Sequence, residues 1–535
     1  MLVTLQSATI SGLTGHVIRV EVDVAPGLPG FTIVGLADTA LQEARERVRG
    51  ALRNSGFVHP PRRITVNLAP PDMRKAGSSL DAAIALGILV GSEQITPRER
   101  WAAVGELSLG GEIRPVPGIL PLALALRRRG EVRVAVPTGT GPEARLVPGL
   151  DVVEVPDLVH LAELVARRHR SRASRARTPA AIRLDPVGEI GGSRLPAGQP
   201  PHAGGRDGQA LGLAAWEVPP PDLAEVRGQA EARRGLEIAL AGGHCLVLIG
   251  PPGSGKTLLA RTVPTLLPAL DDAEALAASI VASAAGLGPL RSLVRRRPFR
   301  APHHTASYAA LVGGGPGPAP GEVTLADGGV LFLDELPEFS RDVLEALRQP
   351  LEEGRIAVAR AGRAVVFPAR FQLIAAMNAC PCGRAGDGDG GCRCPHGAPE
   401  RYAARVSGPL RDRVDIWASM PRVASAELVA APDPECSAVV RDRIVQARVV
   451  QSTRNGGMPN ARLAGRRLRS LAAPTREART RLVELGERHR LSGRGVERAL
   501  RVARTIADLA SDPEVSADHI AEAVRFRAAS GPTAA

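Results

Sequence analysis

Gly250-Pro-Pro-Gly-Ser-Gly-Lys-Thr257 follows the apolar run Cys245-Leu-Val-Leu-Ile249 and precedes Leu258-Leu-Ala-Arg261, whose residues suit a helix. Strand, glycine loop and helix are the context that the pattern G-x-x-x-x-G-K-[ST] requires, and Gly250, Gly255, Lys256 and Thr257 fill its fixed positions. Pro251, Pro252, Gly253 and Ser254 complete the loop. Without side chains at Gly253 and Gly255 the backbone can fold tightly around phosphate oxygens, with amide groups and the helix N-terminus facing the negative charge. Lys256 would then reach the β- and γ-phosphates of ATP, and Thr257 would ligate Mg²⁺.

A second nucleotide motif separates this reading from an accidental glycine turn. Gly329-Val-Leu-Phe-Leu-Asp-Glu335 is an apolar strand ending in two carboxylates, about eighty residues downstream. Ligands of α/β sheets bind at strand tips, so Asp334 is expected to hold Mg²⁺ through water. Glu335 is expected to orient or deprotonate the attacking water. Phe371-Gln-Leu-Ile-Ala-Ala-Met-Asn378 reads as a third such strand, with Asn378 at its tip.

The chain of 535 residues is too long for one core and suggests about three or four units. Its net charge of +13 makes a polyanionic partner attractive, because arginines that neutralise phosphates release counterions, although an Arg-rich composition also has bland origins. The N-terminus lacks the basic segment and apolar core of a signal peptide, and no apolar stretch approaches a membrane span, so the cytoplasm is the expected location. Six cysteines in so long a chain do not make a disulfide framework.

Residues 1–166 alternate between β-like and helical stretches. Val17–Val24 has the period of two of a half-buried strand, and Phe31–Val34 and Ile64–Leu68 read as further strands. Asp38–Asn54 is amphipathic, and Asp81–Val90 reads as a buried helix. Residues 167–215 change to Arg, Ser, Pro and Gly and read as a linker, either a solvated tether or an arm on a nucleic-acid backbone.

Gly27-Leu-Pro-Gly-Phe-Thr-Ile-Val-Gly-Leu-Ala-Asp38, Arg63-Ile-Thr-Val-Asn-Leu-Ala-Pro70 and Val104–Pro115 resemble the YifB/ComM family of magnesium-chelatase-like AAA+ proteins, as do Asp222–Gln229 and Arg234–His244. The resemblance implies an α/β protein with a Lon-protease-like N-terminal α/β domain (1–166), an AAA+ P-loop α/β core (216–428) and an α-helical C-terminal lid (429–535). By the same resemblance Val226–Gln229 would lie near adenine and Asn378 would be the sensor-1 residue. Arg413 would be an arginine finger acting in trans, with Arg411 its competitor. Arg494 would be sensor 2, with Arg498 the alternative. A finger in trans implies a ring, expected to be a hexamer. Peptidase chemistry would need Ser78 or Ser79 beside a lysine, yet no lysine follows the later strand and Lys75 precedes the serines.

Two inserts decorate the core. Arg297–Ser307 with the run from Gly313 to Gly321 reads as too glycine-rich to be core, and by resemblance faces a central pore. His303 and His304 are adjacent and lack the spacing to chelate one ion well. Glu353–Phe367 reads as a hairpin carrying Arg355, Arg360 and Arg363, suited to a phosphate backbone or to solvent. Cys380, Cys382, Cys392 and Cys394 flank a Gly/Asp-rich loop and would close a structural Zn²⁺ site, with His396 as a replacement ligand. The C-x-C pairs are tighter than the usual C-x₂-C.

The family implies ATP-driven work on DNA, such as branch migration or helicase activity in recombination or natural transformation. The motor subunit of a magnesium chelatase and a nucleotide-dependent scaffold are the alternatives. A pure scaffold has little need of a water-positioning carboxylate such as Glu335.

Overall fold

Strand β1 (Leu2–Ser11) turns at Gly12 into β2 (Thr14–Ala25), and the two pair antiparallel from Leu2 opposite Asp23 to Ser11 opposite Thr14. The computed structural model describes residues 1–35, 39–71, 78–167, 219–314, 319–360, 363–385, 391–425 and 435–528. The linker 167–215, apart from Arg167, lies outside them, as do Lys75 and the start of the expected core at Trp216.

The chain continues through β3 (Gly30–Val34), β4 (Arg63–Ala69), β5 (Ala102–Ala103), β6 (Glu106–Leu107), β7 (Ile113–Arg114), β8 (Arg133–Pro137) and β9 (Asp151–Val155). Seven of these strands form one sheet in the order β3-β4-β2-β1-β5-β8-β9, while β6 and β7 pair separately. The alternation in β2 does what its period requires: Ile18, Val20, Val22 and Val24 are buried, and Arg19, Glu21 and Asp23 are not. Helix Asp81–Gly91 is buried along its whole length, matching its unbroken apolar sequence. Its one charged residue, Asp81, is satisfied by Arg47 Nε at 2.7 Å and by the Leu107 amide at 3.3 Å. Burial outweighs these donors and pushes the Asp81 carboxyl up to about 6. Ser79 is buried and donates to the Ala8 carbonyl at 2.9 Å, and Ser78 donates to the Glu106 carboxylate. Neither hydroxyl is bonded to a lysine or histidine among the described residues, which do not include Lys75.

The second sheet contains β10 (Leu246–Ile249), β11 (Phe299–Arg300), β12 (Val330–Leu333), β15 (Gln372–Met377) and β16 (Ile416–Ser419). All five strands run parallel in the order β11-β12-β15-β10-β16. A parallel sheet is covered on both faces, which explains the continuous apolar runs of its strands. Val247 and Leu248 are fully buried, and truncating Leu248 to alanine would cost about 2–5 kcal/mol. The glycine-rich insert differs from its sequence reading at its start. Phe299–Arg300 is an edge strand of the sheet, while Leu311 and Val312, between the insert's two stretches, are buried in the core. A strand of two residues between prolines and arginines is too short to show a period. Between β12 and β15 the hairpin β13 (Arg355–Arg360) and β14 (Arg363–Pro368) forms as its sequence suggests. The side chains of Arg360 and Arg363 lie outside the described residues.

The C-terminal part is helical: Ser437–Asn455, Gly465–Leu471, Arg476–Arg488, Gly493–Leu509 and Ala517–Ala528. Ser492 caps Gly493–Leu509 by accepting from the Gly495 amide at 3.1 Å. The helix buries Ala499, Leu500, Val502, Ala503, Ile506 and Ala507 in the core shared with β10 and β16.

The first sheet's unit packs on the second through helix Asp272–Ala284. Buried Glu143 accepts from the amides of Leu120 and Leu290, both at 3.1 Å, and from the Ser283 hydroxyl. The turn at Gly12 also approaches Val365 and Phe367 of the β13–β14 hairpin.

Candidate nucleotide site

Because the five strands are parallel, their C-terminal tips lie along one edge, and that edge gathers Gly250, Ala301, Asp334, Asn378 and Met420. Gly253 and Gly255 adopt φ of 79° and 91°, the left-handed region where glycine carries no Cβ penalty. The helix Lys256–Arg261 starts at once from this loop. Lys256 Nζ folds back into it, donating to the carbonyls of Gly250 at 2.7 Å and Pro251 at 2.8 Å, and to Asn378 Oδ1 at 3.2 Å. Burial pushes its ammonium below the ordinary lysine range, while Asp334 and Glu335 pull the other way.

Thr257 Oγ1 donates to Asp334 Oδ2 at 2.6 Å, so a hydroxyl and a carboxylate oxygen face the same space. Hard oxygens of this kind suit Mg²⁺, which keeps several waters and takes few protein ligands. The Glu335 amide donates to Asp334 Oδ1 at 3.0 Å, and Glu335 has φ of 54°. A non-glycine residue held in that region is strained, a state that clusters at functional sites. Its carboxylate is half exposed, and Oε2 lies 3.0 Å from His304 Nδ1. A cavity of about 560 Å³ opens here, lined among others by Thr257, Asp334, Glu335, Arg300, His303 and His304. The sequence does not single out His304 for this edge: adjacent histidines read only as a poor metal chelate, and strand β11, which delivers His304 here, carries no periodic signal.

Gln229 stands against the phosphate loop, with Nε2 donating to the carbonyls of Ser254 at 3.1 Å and Pro421 at 2.7 Å. Arg413 does not join this edge. It precedes β16 and lies at the opposite end of the strands, where it pairs with Glu352 and donates to the Pro409 carbonyl at 2.6 Å. Its competitor Arg411 stacks over Trp417, with the guanidinium carbon 5.7 Å from the ring centre. Arg494 is exposed at the start of the helix Gly493–Leu509. Arg498, its alternative, is instead tied to Asp415 Oδ1 at 2.7 Å and the Arg413 carbonyl at 3.0 Å, away from the phosphate loop.

Just beyond Asn378, the sulfur atoms of Cys380, Cys382, Cys392 and Cys394 lie within 4.8 Å of one another. Three of the separations are 3.4, 3.8 and 3.7 Å. A tetrahedral Zn²⁺ site with Zn–S bonds of about 2.3 Å has S···S edges of about 3.8 Å. Three of the six edges are thus close to those of such a cage, Cys394 stands within 4.8 Å of the other three sulfurs, and the cysteines are free.

Residues 222–428 match the family described as "Magnesium chelatase, subunit ChlI", residues 434–527 its C-terminal family and residues 20–140 "Subunit ChlI of Mg-chelatase". YifB of Escherichia coli is 38% identical, over 97% of this chain and 95% of its own. The competence protein ComM of Haemophilus influenzae is 38% identical, over 98% and 97%. The chain belongs to the magnesium-chelatase-like YifB/ComM family. Membership in YifB/ComM makes it an ATP-binding protein of AAA+ type, in agreement with the motifs at the sheet edge. A further, partial similarity is to the Lon protease of Mycolicibacterium smegmatis, 26% identical over 29% of this chain and 21% of that protein. Among the described residues no helix is long and apolar enough to cross a membrane.

Proposed function

We propose that this YifB/ComM member is a cytoplasmic, ATP-hydrolysing ring motor, assembled as a hexamer and acting on single-stranded or branched DNA in branch migration or helicase work. The observation that carries the reading is the single edge at which Lys256, Thr257, Asp334, Glu335 and Asn378 meet. In this reading residues 1–166 are a non-proteolytic Lon-like domain, 167–215 a linker, 216–428 the AAA+ core and 429–535 the lid.

The loop Gly250–Thr257 cradles the phosphates, and Lys256 leaves its carbonyl partners for the β- and γ-phosphates. Thr257, and Asp334 through water, would hold Mg²⁺, which when bound would supply positive charge against the phosphates. Glu335 orients the attacking water and takes its proton, and Asn378 holds the water or the γ-phosphate in line. Arg413 cannot serve its own subunit's phosphates from the far end of β16. At a subunit interface it would serve the neighbour's, as a finger in trans, once it parts from Glu352. Arg494 would reach the nucleotide from the lid. Structural Zn²⁺ is assigned to the four-cysteine cage, whose edges fit that ion.

The DNA substrate is supported by the net charge of +13, by the exposed Arg355 on the hairpin and by the competence role in the name of the H. influenzae relative. The test is ATP turnover without DNA and with single strands, duplex and a four-way junction at low salt. Stimulation by DNA is expected. Turnover indifferent to every DNA form, appearing only beside tetrapyrrole-handling partners, would favour a chelatase motor instead, and absence of sustained turnover a scaffold.

A further inference from the structure

Gly383 lies in the turn that carries the cysteine cage, and it is buried against Pro252 of the phosphate loop. A Cβ at Gly383 would stand 2.5 Å from Pro252 Cδ and 2.6 Å from Cγ, well inside van der Waals contact. The residue also has φ of 78°, so both its backbone conformation and its space demand glycine. Its amide donates to the Cys380 carbonyl at 3.0 Å, which ties this turn to the first of the four ligands. Cys380 is itself fully buried, two residues beyond Asn378, whose side chain accepts from Lys256. The segment from Asn378 to Gly383, which includes the first two cysteines, thus touches the phosphate loop twice, through Gly383 on Pro252 and through Asn378 on Lys256.

We infer that the metal held by Cys380, Cys382, Cys392 and Cys394 is the outer brace of the nucleotide site, so that metal occupancy sets nucleotide affinity. The inference rests on the reading of Gly250–Thr257 as the ATP-binding loop. The Ala385 amide donates to Cys380 Sγ at 3.2 Å, but a thiol is a weak donor, and four thiols contribute little of their own to hold one another at tetrahedral spacing. A divalent ion supplies that force and makes the fold of its loop a consequence of binding. The sequence between the inner cysteines, Gly383-Arg-Ala-Gly-Asp-Gly-Asp-Gly-Gly391, has almost no apolar side chain to bury. Separations of 3.4–3.8 Å suit one ion; an iron–sulfur cluster spreads its thiolates over several irons.

Coupling between two binding events is reciprocal, so whatever zinc does for nucleotide, nucleotide does for zinc. The experiment uses the full chain, purified without chelators, with metal content measured by elemental analysis. Affinity for a fluorescent ATP analogue is then compared in loaded, stripped and zinc-restored protein. About one zinc per chain is expected, with affinity falling about tenfold on stripping and returning with zinc but not with magnesium. In the reverse direction, saturating nucleotide should slow zinc transfer to a colorimetric chelator. Gly383→Ala provides a second arm that leaves every ligand in place: it should retain zinc yet bind the analogue about tenfold more weakly. Stripped protein that binds the analogue as well as loaded protein would overturn the inference, as would the finding that no metal is held. If loaded protein fails to bind the analogue at all, the ATP-loop reading beneath the inference fails first.

Discussion

Arg498 holds the backbone of Arg413: its Nη1 donates to the Arg413 carbonyl at 3.0 Å and to Asp415 Oδ1 at 2.7 Å. Arg527, from the last described helix, grips the next carbonyl, that of Val414. The C-terminal helices therefore clasp the segment just before β16, and any movement of those helices is felt at Arg413. Asp415 is the buried centre of this clasp, with His244 Nδ1 at 3.5 Å and the Cys245 amide at 3.2 Å. Burial pushes its carboxyl up, but His244 and Arg498 outweigh that and hold it well below the ordinary carboxylate range.

Arg498→Ala should leave nucleotide binding intact while lowering stability by about 3 kcal/mol, the usual result of stripping one partner from a buried ion pair. A depressed folded-state pKa stabilises fully above the unfolded value and is lost as pH falls through the folded one. The gap between wild type and variant should thus be complete above about pH 4 and close in stronger acid. Thermal unfolding across pH checks this, and a variant as stable as wild type at neutral pH would contradict it.

Lys256→Ala should abolish binding of ATP, because the ammonium meets phosphate in the ground state. Glu335→Gln should bind ATP normally and fail to hydrolyse it, since the carboxylate is needed only when water attacks. His304 stands 3.0 Å from that carboxylate, so His304→Ala should change turnover and leave affinity for the nucleotide nearly unaltered. Equilibrium binding and single-turnover hydrolysis separate these outcomes, and wild-type turnover by Glu335→Gln would remove it as the base.

Arg413→Ala should bind ATP, be nearly inactive alone and partly recover turnover when mixed with Glu335→Gln subunits. In a mixed ring some interfaces combine an intact base with an intact finger. No recovery at any mixing ratio would argue against action in trans.

Removing Arg355, Arg360 and Arg363 together should weaken DNA binding at every sequence and flatten its salt dependence, because phosphate contacts carry little base information. Basal ATP hydrolysis should survive, and its stimulation by DNA should be lost. Binding isotherms at several salt concentrations check the first part. An unchanged salt slope would take these arginines off the DNA.

Much of the nucleotide edge was legible because local signals agree there. Leu246–Ile249 and Val330–Leu333 are short apolar runs ending in chemistry-bearing residues, and a parallel sheet needs such runs. The clustering of Cys380, Cys382, Cys392 and Cys394 was equally readable, since side chains close in sequence need little tertiary information to meet. What escaped depends on distant partners. The placements of His304 and Arg498 are defined by contacts with Glu335, Arg413 and Asp415, which no local pattern encodes. Glu143 looks like an ordinary surface residue until Ser283 and Leu290, far along the chain, close over it.

The most direct test of the central claim, that ATP hydrolysis at Glu335 drives work on DNA, is to follow a fluorescently labelled four-way junction with the full chain, ATP and Mg²⁺. The account predicts that wild-type protein converts the junction to duplex products while Glu335→Gln protein binds it and leaves it intact. Steady ATP consumption beside a junction that persists unchanged would contradict the account.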